Sequence, residues 1–125
     1  MEKRLIICRR FHFDAAHCLP NHEGKCKNLH GHRWAVDVAI TGPVNREGAQ
    51  DGMVYDFGNL KKAVDPVIEE LDHHYLNDLL PFTPTAENLA ESLYIHINNR
   101  LPLEVGVVFI RVWETEDSYA EYGKI

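Results

Sequence analysis

A thiol and two imidazoles lie within one short segment of the chain, at Cys26, His30 and His32. If His30 and His32 open a β-strand, their side chains project from the same face, because alternate residues of a strand are co-facial. Two neutral imidazoles at this spacing can chelate zinc, but a catalytic zinc usually takes three protein ligands and leaves one position open. The segment therefore predicts a zinc site whose third ligand lies elsewhere in the chain.

Other segments carry groups that could join this site. His17 ends a run of alternating apolar residues, where a lone histidine is more often a packed structural residue than a metal ligand. The nearby His-x-His pair lacks a third donor, however, and this favours His17 as a candidate. Taken alone, Cys26 would be interpreted as a free surface thiol. The remaining candidates are Asp72 with His73, and Glu114 near the end of a long apolar stretch.

The strands that must position these groups follow from alternating apolar residues. Alternation predicts strands over 4–16 and about 32–41, followed by a hairpin connection into a short strand over 53–56. Two further strands are predicted over 105–116 and 118–124. In the first two strands, one face would carry the apolar and imidazole side chains together, namely Phe11, Phe13, Ala15, His17, His32, Trp34, Val36, Val38 and Ile40.

Two helices are predicted from apolar residues at helical spacing. The first covers about 57–71, with Asp56 or Asn59 as its cap and Pro66 bending its middle. A polar loop over 72–78 follows it. The second helix covers 86–99 and begins at Thr85, a plausible N-cap. The order ββααββ, with both helices on one side of an antiparallel sheet, indicates an α+β fold.

Composition and charge limit the function classes. Hydrophobic residues make up 45% of the 125-residue chain and charged residues 26%, as in ordinary globular proteins, which predicts one domain over 1–125. A net charge of −6 argues against general nucleic-acid binding. The sequence contains neither a long apolar run nor a signal-peptide core, so we expect a cytoplasmic protein that does not interact with membranes. The three cysteines contain no CxxC pair and suggest no disulfide framework.

Six motifs, in order along nearly the whole chain, resemble the 6-pyruvoyltetrahydropterin synthase / 6-carboxytetrahydropterin synthase family. They are Phe13-Asp14-Ala15-Ala16-His17, Cys26-x-x-x-His30-Gly31-His32, Val54-Tyr55-Asp56-Phe57-x-x-Leu60-Lys61, Leu71-Asp72-His73-His74-Tyr75-Leu76-Asn77, Pro84-Thr85-x-Glu87-Asn88 and Glu114.

The resemblance implies both a fold and a site. The fold would be the tunnelling fold, a four-stranded antiparallel sheet with two helices on one face, and the sheets of several subunits would close into a barrel, commonly in a hexamer of two trimers. The implied substrate is a pterin triphosphate. The implied site comprises a Zn²⁺ triad at His17, His30 and His32, a catalytic thiol at Cys26, an acid/base pair at Asp72 and His73, and pterin contacts at Glu114 and Thr85.

The three residues between Cys26 and His30 bear on the product. This spacing is similar to that of the bacterial 6-carboxytetrahydropterin synthases of the queuosine pathway, whereas the pyruvoyl-forming animal enzymes carry two more residues there. The resemblance thus favours conversion of 7,8-dihydroneopterin triphosphate to 6-carboxytetrahydropterin with release of acetaldehyde and triphosphate. Two alternatives stay open. One is a pyruvoyl-forming or related dihydroneopterin side-chain lyase, and the other is a non-enzymatic, zinc-stabilised oligomer that binds a pterin or purine ring.

Overall fold

Five strands and three helices follow one another in the order ββαβααββ in a computed structural model that describes residues 3–124. The strands are β1 (Ile6–His17), β2 (His30–Thr41), β3 (His74–Tyr75), β4 (Gly106–Thr115) and β5 (Ser118–Gly123), and the helices are α1 (Phe57–Glu69), α2 (Leu76–Leu79) and α3 (Ala86–Asn98). Residues 1, 2 and 125, which the predicted single domain includes, lie outside the described part of the chain.

One sheet contains all five strands, in the order β3-β1-β2-β4-β5. The four long strands pair antiparallel, as predicted, and β3 adds a short parallel pairing at the β1 edge. The predicted four-stranded sheet is therefore one strand short. Residues 72–78, predicted to form a polar loop, instead contain β3 and the first three residues of the four-residue helix α2. A strand of two residues is too short to show alternation, so the sequence carries no periodic signal for it.

The predicted strand over 53–56 is wrong. These residues belong to a tight loop in which the Asn45 N–H donates to the Met53 carbonyl and the Gly52 N–H donates to the Asn45 carbonyl. Gly48 and Gly52 adopt φ angles of 79° and 84°, which a residue with a Cβ rarely adopts. Val54 is buried, and its apolar character reflects contact with the core without strand pairing.

The alternation predicted for β1 and β2 is confirmed. On the helix-covered face, β1 buries Phe11, Phe13 and Ala15, and β2 buries Trp34 and alternate residues after it. The two long helices complete this core with Leu60, Val64, Ile68, Leu89, Leu93 and Ile97. His17 occupies the end of the apolar face and is completely buried.

Both predicted helix starts are confirmed. The Asp56 carboxylate accepts from the Asn59 N–H, and the Thr85 hydroxyl accepts from the Asn88 N–H, so each side chain satisfies a donor of the first turn. Pro66 lies inside α1, which nevertheless continues to Glu69. The first helix ends two residues earlier than predicted, where the N–H groups of Leu71 and Asp72 both donate to the Ile68 carbonyl.

The opposite face of the sheet carries polar and apolar side chains, and no helix among residues 3–124 packs on it. Its centre is Asp37, which is 6% exposed and receives hydrogen bonds from Arg10 Nε, Arg10 Nη2 and Trp113 Nε1 at 2.6, 3.0 and 2.8 Å. Within residues 3–124 the sheet is open, ending at β3 and β5. In the same part of the chain, no helix combines the length and apolar character that crossing a membrane requires.

Candidate functional site

The imidazoles of His17, His30 and His32 converge at one end of the helix-covered face. The register of β1 against β2 explains this, because His17 lies opposite His30 and Ala15 lies opposite His32. The ring centroids are 4.5 Å apart for His17 and His30, 5.1 Å for His17 and His32, and 4.8 Å for His30 and His32. Trp34, fully buried beneath them, packs edge-on against the rings of His17 and His32.

Backbone carbonyls fix which nitrogen carries the hydrogen in two of these rings. Nδ1 of His17 lies 2.8 Å from the Pro84 carbonyl oxygen, and Nδ1 of His30 lies 2.7 Å from the Asn28 carbonyl oxygen. A carbonyl only accepts, so both Nδ1 atoms must donate, and in a neutral ring Nε2 is left with a lone pair. Metal-binding histidines usually have this second hydrogen bond, which orients the ring and sets its tautomer.

Glu114 completes a group of four possible donors, all within 4.8 Å of one another. Its Oε1 lies 3.0 Å from His32 Nε2 and 3.4 Å from His17 Nε2. Neither contact has hydrogen-bond geometry, and these two buried Nε2 atoms have no hydrogen-bond partner within residues 3–124. The buried Nε2 lone pair of neutral His17, facing the Glu114 carboxylate, is unfavourable unless a cation lies between them. The donor set therefore fits a divalent metal such as zinc.

Burial also favours the metal-binding form of His32. Desolvation lowers the pKa of His32, and the charges on His17 and His30 act in the same direction, although Glu114 opposes them. A lowered pKa keeps the imidazole neutral at neutral pH. The proton-free nitrogen is the form that binds a metal ion.

Glu114 was among the groups expected to join this site, and the role that the resemblance implied for it was a pterin contact. The sheet register explains its position beside the imidazoles. Trp113 lies opposite Ala35, so Glu114 projects from the same face as Trp34, next to His32. Glu114 also borders a surface depression of about 440 Å³ that is lined by Ala86, Glu87, Ser118, Tyr119, Ala120 and Glu121.

Cys26 lies in a 3₁₀ turn (Lys25–Lys27) of the loop that joins β1 to β2. The residue is half-buried, and its carbonyl oxygen accepts from the Leu19 N–H at 2.6 Å. Its thiol is not among the four donors that cluster around the imidazoles within the described chain. This position leaves the thiol free of the candidate metal.

Asp72 and His73 form a second, separate group at the β1 edge. His73 Nδ1 lies 2.9 Å from Asp72 Oδ2, and Asp72 Oδ1 accepts from the Asp14 N–H at 2.8 Å. The hydrogen bond from the Asp14 N–H has the largest effect on the pKa of Asp72 and lowers it. Desolvation opposes this effect, the contacts with His73 add to it, and the carboxyl is ionised at neutral pH. His73 has a φ of 61°, a strained value for a residue with a Cβ, of the kind that often occurs at functional sites.

The structure does not bring Asp72 and His73 into the histidine cluster of the same chain. Asp14, to which they bind, projects from the opposite face of β1 to His17. One residue of each group, His32 and His73, borders the same open depression of about 570 Å³.

Thr85 lies between two residues that contact the candidate site. The preceding Pro84 supplies the carbonyl that binds His17, and the following Ala86 lines the depression at Glu114. The Thr85 hydroxyl itself is used as the cap of α3. The first turn of α3 is thus fixed against the site.

Residues 6–124 match the sequence pattern of the protein family described as 6-pyruvoyl tetrahydropterin synthase. A 6-carboxy-5,6,7,8-tetrahydropterin synthase of Synechocystis is 40% identical, with 94% of this chain and 92% of that protein covered. A dihydroneopterin monophosphate aldolase of Pyrococcus furiosus is 38% identical over 91% of each. The structure of Caenorhabditis elegans 6-pyruvoyl tetrahydropterin synthase superimposes with a TM-score of 0.83 at 26% identity, covering 98% of this chain and 97% of that one.

These matches span almost the full length of the chain and of each relative. They agree with the α+β sheet topology and with the resemblance shown by the six motifs. The chain belongs to the 6-pyruvoyl tetrahydropterin synthase family.

Proposed function

We propose that the protein is a zinc-dependent carbon–carbon lyase, a 6-carboxy-5,6,7,8-tetrahydropterin synthase of queuosine biosynthesis. With one water consumed, it would convert 7,8-dihydroneopterin triphosphate to 6-carboxytetrahydropterin, acetaldehyde and triphosphate. The observation that carries the proposal is the convergence of His17, His30 and His32 on one point beside Glu114, with two buried Nε2 atoms lacking hydrogen-bond partners within residues 3–124.

His17, His30 and His32 would hold the metal through Nε2, two of them with Nδ1 fixed by a carbonyl. When bound, zinc supplies a Lewis acid that can bind oxygen atoms of the substrate side chain and acidify adjacent protons. Buried Trp34 beneath the rings limits the freedom of His17 and His32. The approach of substrate is thereby confined to the open side of the cluster.

Cys26 and the Asp72–His73 pair would move the protons. The thiolate form of a cysteine is the form that acts as a base or nucleophile. Lys25 and Lys27 flank Cys26 in the 3₁₀ turn. On the other side, the ionised Asp72 orients His73 through the 2.9 Å contact to Nδ1, which leaves Nε2 of His73 to exchange protons. Positioned acid/base groups of this kind contribute about 10²–10⁴-fold to rate.

Glu114 would also orient the pterin ring, because a carboxylate accepts two hydrogen bonds from the guanidine-like edge of a pterin. The acidic depression at Glu114, with Glu87 and Glu121 on its border, supports this assignment. Thr85 would contact the ring from the start of α3. A carboxylate at this position thus faces both the candidate metal and the candidate ring site.

Assembly into a hexamer of two trimers, with sheets joined into barrels, forms part of the proposal. Two features support it. The single chain ends in two sheet edges at β3 and β5, and such edges are usually covered. The Asp72–His73 pair also lies apart from the histidine cluster of the same chain, so a neighbouring copy could supply one group to the other.

A second candidate activity concerns the same scaffold. The aldolase relative is nearly as similar as the 6-carboxytetrahydropterin synthase relative, so overall identity does not distinguish a 6-carboxy-forming from a 6-pyruvoyl-forming or aldol-cleaving enzyme. The three-residue spacing between Cys26 and His30 favours the first. The third alternative, a zinc-stabilised binding protein, gives no role to the Cys26 thiol or to the Asp72–His73 pair.

One assay separates these candidates. The zinc-loaded protein is incubated with 7,8-dihydroneopterin triphosphate, and separately with the monophosphate, and the products are identified by mass spectrometry. We expect acetaldehyde, triphosphate and 6-carboxytetrahydropterin in equal amounts from the triphosphate. A pyruvoyl pterin, or a two-carbon aldehyde phosphate from the monophosphate, would assign the second candidate, and binding without turnover would assign the third.

A further inference from the structure

The carboxamide of Asn77 makes two hydrogen bonds to the backbone of a single residue, Cys18. Oδ1 of Asn77 accepts from the Cys18 N–H at 2.9 Å, and Nδ2 donates to the Cys18 carbonyl oxygen, also at 2.9 Å. A carboxamide has an acceptor and donors in one plane, as a peptide group does. The side chain of Asn77 therefore pairs with the backbone of Cys18 as the backbone of a neighbouring strand would.

This contact lies where the backbone pairing of β3 with β1 ends. The last backbone pair is Ala16 with Tyr75, after which the chain turns into α2 at Leu76. Asn77 extends the pairing two residues further, to Cys18 just after the end of β1, and satisfies the partly buried N–H and C=O of that residue. The Cys18 thiol, 3.0 Å from the Tyr75 hydroxyl, ties the same residue to the same segment.

Cys18 stands between two parts of the candidate site. His17 precedes it, and Leu19, which follows it, donates its N–H to the carbonyl oxygen of Cys26 at 2.6 Å. Asn77 itself lies in the segment that carries Asp72 and His73. One side chain thus connects the end of β1, the loop with the thiol and the segment with the acid/base pair.

We propose that Asn77 is a positioning residue that fixes the loop of residues 18–26, and with it the Cys26 thiol, against the end of β1. The inference rests on the proposed function for the role of Cys26 in proton transfer, and Asn77 is assigned an indirect role because its carboxamide binds the backbone of Cys18. Without its carboxamide the loop samples more positions, and the thiol spends less time where it can exchange a proton. Errors of about 1 Å in such positions lower rates by about 10²-fold.

The test compares Asn77→Ala and Asn77→Asp with Asn98→Ala in the zinc-loaded full chain. Asn98 is a matched control, because its Oδ1 also accepts from a backbone N–H, that of Val107 at 2.9 Å, at the far end of β4 from Glu114. Three quantities are measured for each protein: the alkylation rate of Cys26 by iodoacetamide, resolved from Cys8 and Cys18 by peptide mass spectrometry, the exchange of the Leu19 amide, and kcat and KM.

We expect Asn77→Ala to raise both the alkylation rate of Cys26 and the exchange rate of the Leu19 amide by about 5-fold or more. Its kcat should fall by about 10-fold or more, with KM changed by less than about 3-fold. Asn77→Asp keeps the acceptor for the Cys18 N–H and loses the donor, so its effects should be intermediate, and it carries the test if the alanine variant does not fold. Asn98→Ala should match the wild type in all three quantities.

The proposal is overturned if both Asn77 variants alkylate and exchange as the wild type does, or if Asn98→Ala produces the same changes. Failure of the proposed function is distinguishable from this result. In that case the wild-type chain turns over no dihydroneopterin phosphate, while alkylation and amide exchange, which need no substrate, still decide the role of Asn77.

Discussion

The ring of His17 donates from Nδ1 to the carbonyl oxygen of Pro84 at 2.8 Å, across 67 residues of sequence. The bond holds the end of β1 against the residue that precedes the α3 cap. It fixes the tautomer of His17, so that Nε2 faces His30, His32 and Glu114 with a lone pair. This one hydrogen bond therefore positions both His17, a candidate metal ligand, and the start of α3, which lies beside the candidate ring site.

Replacement of His17 by Ala should remove bound zinc. His17 is fully buried and supplies one of three imidazoles. Removing only the hydrogen-bond partner of a metal ligand lowers metal affinity by about 10–100-fold, so we expect removal of the ligand itself to lower zinc affinity by more than about 100-fold. Zinc content after dialysis, measured by elemental mass spectrometry, checks this. His12→Ala, on the exposed face of the same strand, should keep its zinc, and stoichiometric zinc in His17→Ala would exclude the triad.

Replacement of Cys26 by Ala should leave zinc content and assembly intact while turnover falls by about 10²–10⁴-fold, as expected for loss of a proton-transfer group. The thiol lies outside the donor cluster of the described chain, so its loss should not disturb the metal. Steady-state kinetics with 7,8-dihydroneopterin triphosphate provide the measurement. Cys8 has an exposed thiol on the face of β1 opposite to that of His17, and Cys8→Ala serves as the control. Full activity of Cys26→Ala would refute the proton-transfer role.

Replacement of Glu114 by Gln decides between two roles for this carboxylate. If it orients the pterin ring, KM should rise by about 10-fold or more, because a bidentate charged contact is lost, while zinc content stays constant. Substrate titration and zinc analysis of the same sample check both quantities. Glu116→Gln, at an exposed neighbour in the sequence, is the control. Loss of zinc from Glu114→Gln would instead identify Glu114 as a metal ligand.

Asp37 should make folding stability sensitive to acid. Burial opposes its ionisation, but the hydrogen bonds from Arg10 and Trp113 prevail, and the pKa of Asp37 is lowered from its ordinary value. A carboxyl with a lowered folded-state pKa contributes stability that is complete above the unfolded pKa of about 4 and is lost as pH falls through the folded-state pKa. Asp37→Asn should therefore cost about 1–3 kcal/mol in unfolding free energy at pH 7.

Urea unfolding of Asp37→Asn at constant protein concentration checks this dependence. The difference from the wild type should begin to shrink below about pH 4 and should fall further as pH drops through the lowered folded-state pKa, where the wild-type carboxyl also becomes neutral. Asp65→Asn, which removes an i,i+4 pair with Lys61 on the surface of α1, should change stability by less than about 0.5 kcal/mol. A stability difference for Asp37→Asn that does not change with pH would contradict the assignment.

Thr85→Ala should destabilise the protein by about 1 kcal/mol, because the Asn88 N–H loses its cap. Thr85→Ser keeps a hydroxyl and should unfold within a few tenths of a kcal/mol of the wild type. Thermal unfolding of the two variants provides the comparison. Equal stability of Thr85→Ala and the wild type would show that the cap contributes nothing measurable.

The parts that the sequence predicted correctly are those with a local period. Strand alternation placed His17 and His32 on the face of Phe13 and Trp34, and helical spacing located α1 and α3. The short strand β3 was missed because two residues show no period, and the wrong strand over 53–56 came from apolar residues that contact the core from a loop. The roles of Pro84 and Asn77 were beyond reach, since they depend on backbone contacts between segments distant in sequence.

The register of β1 against β2 has a further consequence for the accuracy of strand pairing during folding. Arg10 lies directly opposite Asp37 on one face, and seven residues further along β1, His17 lies opposite His30 on the other. A slip of one residue would reverse the faces and break both pairs at once, leaving a buried carboxylate unpaired. A chain that has formed its ion pair has therefore also aligned its imidazoles, so misregistered molecules are penalised energetically before any metal binds.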